Sequence, residues 1–242
     1  MRWPGRRGQP RPAIPARAEE KILSYDERCA KQRSEFWWKG QRVGFVWWDP
    51  WEPSGTPGIA VGYRNDVRVG YEISYDRGAV SCAEPFKDGL VHGWAKQFGS
   101  RSRLIFESPF KNGTGTDYWC YDDGRLAEEH PLVEGKPSGC ERWWSEDQKS
   151  IYEETHWLNG EWHGIKRHWT RDRLDLGYPQ FFARGKRISK RGYLVAARRD
   201  ATLPTYRPAD DRPERRLPER FIELKRRLRR KPKQRTGTTG TR

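Results

Sequence analysis

The chain has few apolar residues and no long run of them. Residues of the set AVILMFWYC make up 34% of its 242 positions, and charged residues make up 33%. That proportion is lean for a globular core. No segment approaches the roughly 18 consecutive apolar residues of a membrane-spanning helix, and the Pro- and Arg-rich start of the chain has no apolar signal region. These absences predict a soluble, cytoplasmic protein.

Paired metal ligands and catalytic motifs are also missing. The four cysteines, Cys29, Cys82, Cys120 and Cys140, make no CxxC pair, which is the spacing typical of zinc sites. We therefore expect free thiols, including Cys120 and Cys140 in adjacent repeat units. There is no GxSxG, HExxH or Gly-rich phosphate loop. The sequence predicts a protein that is not an enzyme, with no cofactor, no metal and no small-molecule substrate.

Aromatic residues, at 13% of the chain, recur with a period of about 23 positions. Glycines recur with the same period and phase. Two residue types rarely share one period by chance, so the pattern indicates a repeat array. The aromatic series is Tyr25, Trp48, Tyr75, Phe98, Tyr121, Trp144 and Trp169, and the glycine series is Gly44, Gly70, Gly93, Gly115, Gly139 and Gly164.

Each unit has the pattern of a β-hairpin. Turn sequences such as Asp122-Asp123-Gly124 place glycine where a tight turn needs positive φ. The segments between turns are five to eight residues long, which suits strands rather than helices. Consecutive hairpins predict an all-β fold: an elongated, single-layer antiparallel sheet of about 12–14 strands at two per unit. The unit after Trp48 is longer, and its Pro-flanked Ser54-Gly55-Thr56 predicts an exposed loop.

Charge divides the chain into three parts. Residues 1–20 hold five Arg and two acidic residues, and residues 198–242 hold 16 Lys or Arg and six acidic residues. The net charge of the whole chain is +15. We expect a disordered basic tail at 1–20, the hairpin array at 21–197 and a basic tail at 198–242. The array itself is nearly neutral, so most of the basic character lies in the tails.

The glycine pattern resembles that of a known repeat family. Two units share an aromatic residue, Gly three positions later, then Val or Leu, then GxxxG: Tyr75, Gly78, Val80, Gly89 and Gly93, and Tyr121, Gly124, Leu126, Gly135 and Gly139. With the endings His92-Gly93 and His163-Gly164, residues from about 25 to 192 resemble MORN-variant repeats. The match departs from the pattern at Asp147, at residues 112–115 and at Gly185.

The resemblance implies an elongated sheet with a role in protein or lipid contact and no catalytic site. Bacterial proteins of this kind are often labelled as the antitoxin half of a toxin–antitoxin pair. The array is accordingly expected to be a protein-interaction scaffold with an unknown protein partner and an antitoxin-like role. Its candidate anchors are tryptophans, which are enriched at contact sites: Trp37, Trp38, Trp47, Trp143 and Trp157.

Two residue patterns that suggest chemistry have structural explanations. His92 and His163 occupy the same position before the second glycine of a turn, which predicts a role in turn structure. The pairs Glu128-Glu129 and Glu153-Glu154 are adjacent in strands, so their side chains point to opposite faces and cannot act together as acid and base. We interpret these carboxylates as part of a solvated surface.

The C-terminal tail contains one helical pattern, predicted over residues 217–231. Leu217, Phe221, Leu224 and Leu228 recur at helical spacing. Three uses remain open: capping the open end of the sheet by docking the apolar stripe, lying on an anionic membrane, or binding nucleic-acid phosphates. The last two would use the basic residues Lys225, Arg226, Arg227, Arg229 and Arg230.

Overall fold

The computed structural model of the protein describes residues 3, 8–25, 31–49 and 56–230. Nineteen strands form one long antiparallel sheet that does not close, and two short helices follow it. The strands are β1 (Glu19–Tyr25), β2 (Lys31–Trp38), β3 (Gln41–Trp48), β4 (Pro57–Arg64), β5 (Val67–Arg68), β6 (Gly70–Asp76), β7 (Ala79–Lys87), β8 (Leu90–Val91), β9 (Gly93–Gly99), β10 (Arg103–Lys111), β11 (Thr114–Cys120), β12 (Leu126–Val133), β13 (Lys136–Pro137), β14 (Gly139–Trp144), β15 (Ile151–Leu158), β16 (Glu161–Thr170), β17 (Arg173–Leu174), β18 (Gln180–Ala183) and β19 (Lys186–Ile188). The helices are α1 (Lys190–Ala197) and α2 (Glu219–Arg230).

The sheet is a meander in which each long strand pairs with the next one along the chain. The prediction of an all-β, single-layer antiparallel sheet with a short C-terminal helix is confirmed. The strand number exceeds the predicted 12–14, partly because glycines with positive φ split single strands. Gly93, at φ 117, is the first residue of β9 and follows β8 after a gap of one residue, and Gly139, at φ 116, is the first residue of β14 and follows β13 after a gap of one residue.

The glycine turns are joined to one another along one edge of the sheet. Two successive residues with positive φ form each turn, as in Asp88-Gly89 and Asn159-Gly160, which is the geometry of tight hairpin turns. The backbone N–H of Gly89 donates to Arg68 O at 3.2 Å, and that of Gly160 donates to Pro137 O at 2.8 Å. Neighbouring units are thus hydrogen-bonded at their turns as well as along their strands.

The repeated aromatic residues supply much of the core. Trp48, Tyr75, Trp144 and Trp169 are buried, whereas Tyr25 is 58% exposed. Register shifts immediately precede three of these core residues, between Trp47 and Trp48, between Ser74 and Tyr75 and between Trp143 and Trp144. Such bulges change the direction in which a side chain points without ending the strand pairing.

The described residues of the N-terminal segment, residue 3 and residues 8–20, are part of the fold, in contrast to the predicted disorder of residues 1–20. Trp3 and Ile14 are buried in the core cluster that contains Phe36 and Trp48. A Cβ added at Gly44 would lie only 2.4 Å from Ile14 Cδ1, so this close approach requires glycine. The few apolar residues of this segment have no periodic spacing, so no local pattern indicates that they pack on the sheet.

The C-terminal segment folds back over the sheet. α1, which the sequence analysis placed inside the hairpin array, packs Tyr193 against Phe181. Ile151 N–H donates to Pro213 O at 3.0 Å, and α2 buries Phe221 and Leu224 in the cluster around Trp144. Among the described residues, neither helix has the length and apolarity needed to cross a membrane. Cys29 and the loop residues 50–55 lie outside the described residues.

Candidate interaction face

A row of aromatic and acidic side chains crosses one face of the sheet. Trp119 pairs with Glu128, Glu128 with Trp143, Trp143 with Glu153, and Glu153 with His168, each on the next strand of the meander. Directly paired residues share a face, and their Cβ atoms are about 5 Å apart. We call these five residues the aromatic–acidic row and their side of the sheet the outer face. Trp119 is 38% exposed and Trp143 is partly buried.

A second set of polar side chains lies beside this row. His130 Nε2 is 2.8 Å from Glu128 Oε2, and its Nδ1 contacts Glu141 Oε1. Trp119 Nε1 donates to Asp117 Oδ2 at 2.9 Å. Burial alone would lower the pKa of His130, but the bonds to Glu141 and Glu128 outweigh burial and raise it. The His130 ring therefore lies between two carboxylates on the outer face, an arrangement that favours its protonated form.

Packed aromatic rings extend the surface toward the glycine-turn edge. The ring centroids of Trp157 and Trp162 are 6.0 Å apart, and those of Trp162 and Phe182 are 5.0 Å apart. Trp157 Nε1 donates to Glu141 Oε2 at 2.7 Å. Lys166 Nζ lies 5.4 Å from the centroid of the Trp162 ring. This part of the face consists of apolar rings with polar groups at their edges, a combination that is common in contact surfaces.

The tryptophans predicted as protein contacts fall into two separate groups. Trp143 and Trp157 lie on the neighbouring strands β14 and β15. Trp37 and Trp47 lie on β2 and β3, near the other end of the meander, and Trp38 ends β2 half-buried. The structure brings Trp143 and Trp157 onto one surface but does not join them to the other group.

The two groups differ in the charges that surround their rings. In the N-terminal group, Arg33 Cζ lies 5.5 Å from the centroid of the Trp47 ring, and Arg42 Cζ lies 4.9 Å from that of Tyr63. Within the described part of the chain, no Lys or Arg side chain lies over Trp119 or Trp143. No family model, curated protein or solved structure matches this chain. The outer face is therefore characterised by its own chemistry: carboxylates in register with indoles.

The predicted basic contact residues lie on α2, which packs against the sheet. The Phe221 ring stacks on that of Phe106, with centroids 4.9 Å apart, and lies 5.5 Å from the ring of Tyr118. The apolar stripe of α2 is thus occupied by the sheet. The stripe is docked, as the capping use requires, but it packs on the face of β10 and β11 in the middle of the meander and not at the open end of the sheet.

Two of the five basic residues of α2 bond within the chain. Lys225 Nζ donates to Gly124 O at 2.7 Å, and Arg227 Cζ lies 4.4 Å from the centroid of the Trp94 ring. Arg226, Arg229 and Arg230 are exposed, as is the side chain of Arg227 itself. The solvent side of α2 is therefore a compact group of guanidinium groups.

A buried charge network lies on the opposite face, which we call the inner face. Arg142 bonds Glu129 at 2.7 Å and Glu154 at 2.9 Å, and Arg167 bonds Glu154 at 2.8 Å. From the C-terminal segment, Asp211 accepts from Arg167 at 3.0 Å, and Arg215 lies 3.4 Å from Glu154. The network thus joins the sheet to the segment that covers it.

This network corrects the interpretation of the glutamate pairs as solvated. Glu129 and Glu154 are buried, whereas their neighbours Glu128 and Glu153 remain partly exposed on the outer face. Burial would raise the pKa of Glu154, but His156, Arg142 and Arg215 outweigh burial and lower it to about 2. The opposite-face geometry was predicted, but the segment that buries one member of each pair was not.

A cysteine, a glutamate and a histidine also meet on the inner face. Potential ligand atoms of Cys140, Glu154 and His156 lie within 4.8 Å of one another. His156 Nδ1 donates to Ile165 O at 2.7 Å, and both oxygens of Glu154 accept from arginines. A metal cation would have to displace guanidinium groups from Glu154, so this trio is better explained as part of the charge network. Within the described part of the chain, Cys82, Cys120 and Cys140 are free thiols.

The recurring histidines contact the neighbouring turns through their ring nitrogens. His92 Nδ1 lies 2.8 Å from the side-chain Oδ1 of Asn112 and 3.3 Å from its backbone nitrogen, and His163 Nδ1 accepts the backbone N–H of Arg184 at 3.0 Å. Thr114 occupies the corresponding position in another unit, where its hydroxyl accepts Glu134 N–H at 3.1 Å. The residue before the second glycine of the turn therefore contacts the next turn in all three units, although its side chain differs.

Proposed function

We propose that the protein is a non-enzymatic scaffold that binds another protein through the outer face of its sheet. The observation that carries the proposal is the difference between the two faces. The terminal segments bury the inner face through Ile14, Phe221 and Leu224, whereas Trp119 and Trp162 on the outer face are 38% and 39% exposed. Exposed tryptophans within a polar surface are typical of protein contact sites.

The arrangement of titratable groups supports a binding role over a catalytic one. On the outer face, His130 is held between Glu128 and Glu141, and Lys166 bonds Glu153 at 2.9 Å. These groups pair with one another on an open sheet and do not converge on a reacting atom within a cleft. The proposal accordingly assigns no catalytic residue and no cofactor.

The resemblance to MORN-variant repeats supports the same class of function. It extends the proposal to an antitoxin-like protein whose partner is a bacterial toxin. We also propose a cytoplasmic location, which suits the three described thiols because they are unpaired.

A second candidate function is binding of nucleic acid or anionic lipid through α2. The exposed Arg226, Arg229 and Arg230 favour it, because clustered guanidinium groups bind phosphates. Insertion of the apolar stripe into a membrane would first require α2 to leave the sheet, since Phe221 and Leu224 are buried. Surface attachment through phosphate groups is therefore the form of this candidate that the packing favours.

The two functions are separable with variants of the full chain. We would compare the wild type, Trp119→Ala with Trp143→Ala, and the triple change Arg226→Gln, Arg229→Gln and Arg230→Gln. Each would be used to recover partners from cells of the source, and any protein recovered would be purified and titrated directly. Nucleic acid and lipid would be quantified in the same samples.

The scaffold proposal predicts that the tryptophan variant weakens the purified partner's affinity by at least about tenfold, as for loss of contact hot spots. The arginine variant should leave that affinity unchanged. Equal binding by the tryptophan variant and the wild type would overturn the outer face as the contact site. Retention of only nucleic acid or lipid, lost in the arginine variant, would support the second function instead.

A further inference from the structure

We propose that the aromatic–acidic row binds a basic segment of the partner protein, with arginine or lysine side chains seated against Trp119 and Trp143 and paired with Glu128 and Glu153. This inference rests on the proposed scaffold function and specifies the chemistry of the partner. The carboxylates and indoles of the row alternate on neighbouring strands, so each cationic side chain would meet both an anion and an aromatic ring.

Each carboxylate of the row retains an oxygen for such a partner. Glu128 bonds His130 through Oε2, and Glu153 bonds Lys166 through Oε1. The other oxygen of each has no hydrogen-bond donor among the residues that the structure describes. Because a guanidinium group presents several N–H donors in a fixed plane, it can bond a carboxylate while its face rests on an indole.

The local charge favours a cationic partner over an anionic one. Asp117, Glu128, Glu141 and Glu153 are opposed in this region by His130 and Lys166. With His130 protonated, these six groups carry a net charge of about −2 by ordinary ionisation, on a chain whose total is +15. A negative patch on a basic protein is complementary to a basic segment and repels nucleic acid and anionic lipid.

Contacts between a cationic side chain and an indole ring already occur within the chain. Arg33 covers the ring of Trp47, Arg227 covers that of Trp94, and Lys166 lies 5.4 Å from the centroid of the Trp162 ring. Attraction between a cation and an indole face is the strongest of the aromatic cases. Among the described residues, no Lys or Arg covers Trp119 or Trp143. The ring of His130 packs at 85° to that of Trp143, with centroids 5.5 Å apart, so Trp119 is the more open of the two rings.

The spacing of the two carboxylates suggests the sequence pattern of the partner. Glu128 lies on β12 and Glu153 on β15, with β14 between them. Two strand spacings amount to about 10 Å, which an extended peptide covers in about three residues. Two basic residues separated by two others, R-x-x-R, would therefore reach both carboxylates.

The test uses the full chain and short labelled peptides, with binding measured by fluorescence anisotropy. One peptide carries R-S-S-R between Gly-Ser flanks, and its control replaces both arginines by glutamine. We expect the arginine peptide to bind at least about tenfold more tightly than the control. Glu128→Gln with Glu153→Gln should weaken it about five- to tenfold, and Trp119→Ala about three- to tenfold.

The matched control combines Glu35→Gln with Trp47→Ala at the other end of the sheet. Glu35 already bonds Arg42, and Arg33 already covers Trp47, so peptide affinity should stay within about twofold of wild type. Circular dichroism and thermal melting would establish that each variant folds. Equal affinity for the arginine and glutamine peptides, or no effect of the paired glutamate changes, would overturn the inference.

The inference and the scaffold proposal can fail separately. Suppose that binding of a purified partner depends on Trp119 and Trp143 but is unchanged when the partner's basic residues are replaced. That result would support the scaffold proposal and overturn the basic-segment inference. Loss of every protein partner would overturn the scaffold, even if the isolated arginine peptide still bound to the row.

Discussion

Arg167 Nη1 donates to Glu154 Oε1 at 2.8 Å, and both side chains are buried beneath the C-terminal segment. On the opposite side of the same strand, Glu153 bonds Lys166, and its side chain is 22% exposed. Two consecutive glutamates thus experience different environments, because adjacent side chains in a strand point to opposite faces. One supports the fold, and the other belongs to the proposed contact surface.

Replacing Glu154 should destabilise the protein much more than replacing Glu153. Glu154→Gln leaves Arg142 and Arg167 without their shared carboxylate, and removal of one partner from a buried ion pair costs about 3–5 kcal/mol. Glu153→Gln removes one partly exposed ion pair, worth less than about 1 kcal/mol. Urea unfolding at pH 7 measures both values. Equal effects of the two changes would contradict the burial of the network.

The same carboxyl group should make the fold sensitive to acid. The folded pKa of Glu154, about 2, is below its ordinary value of 4.5. Its contribution is therefore present above pH 4.5 and is lost as pH falls toward 2. The difference in unfolding free energy between wild type and Glu154→Gln should shrink over that range. A difference that stays constant down to pH 2 would contradict the lowered pKa.

Glu84 should have the opposite effect on pH dependence. Burial, with Asp117 and Glu72 nearby, raises the pKa of Glu84 from 4.5 to about 7. Protonated Glu84 is thus favoured by folding, and stability is lost as pH rises from 4.5 through 7. Glu84→Gln should stabilise the protein by about 1–3 kcal/mol at pH 8 and hardly at all at pH 4. Thermal melting at both values tests this, with Glu134→Gln in an exposed turn as control.

Removal of the Phe221 ring should release α2 from the sheet. Phe221 packs against Phe106 and Tyr118, and truncation of a buried phenylalanine costs about 3–5 kcal/mol. Arg226→Ala, on the exposed side of the same helix, should change stability by less than about 0.5 kcal/mol. Hydrogen exchange of the α2 amides would distinguish loss of docking from general destabilisation. Unchanged protection in Phe221→Ala would contradict the observed packing.

His130 should titrate above its ordinary pKa of 6.5 because Glu141 and Glu128 bond its ring. NMR titration of the His130 ring measures this directly. Glu141→Gln removes one of the two carboxylates, so it should lower the His130 pKa relative to wild type. A wild-type pKa below 6.5, or no response to Glu141→Gln, would contradict the proposed ion pairs.

The repeat pattern predicted the strands because it is local. Gly89 and Gly113 occupy turn positions with positive φ, and such positions are recognisable from short sequence motifs. The aromatic period likewise marked Trp144 and Trp169, which are buried. The helical spacing of Phe221 and Leu224 predicted α2 for the same reason, since it too depends on neighbouring residues alone.

Only part of the candidate surface could be predicted from the sequence. Trp143 and Trp157 were identified as anchors, but Trp119 was not, although it begins the aromatic–acidic row. Its pairing with Glu128 depends on a register shift at Cys120, which no local pattern reveals. Cross-strand register would have been the useful signal, because it places residues from different units side by side.

The sequence by itself determined the hairpin repeat, the all-β class and the helical pattern near the end of the chain. Only the tertiary structure decided which face is covered, and therefore that Glu154 is buried while Glu153 remains accessible. The physical reason is that turn and strand preferences act between near neighbours, whereas burial depends on where distant segments pack. Trp3 and Phe221 lie near opposite ends of the chain, and their packing on the sheet leaves the aromatic–acidic row exposed.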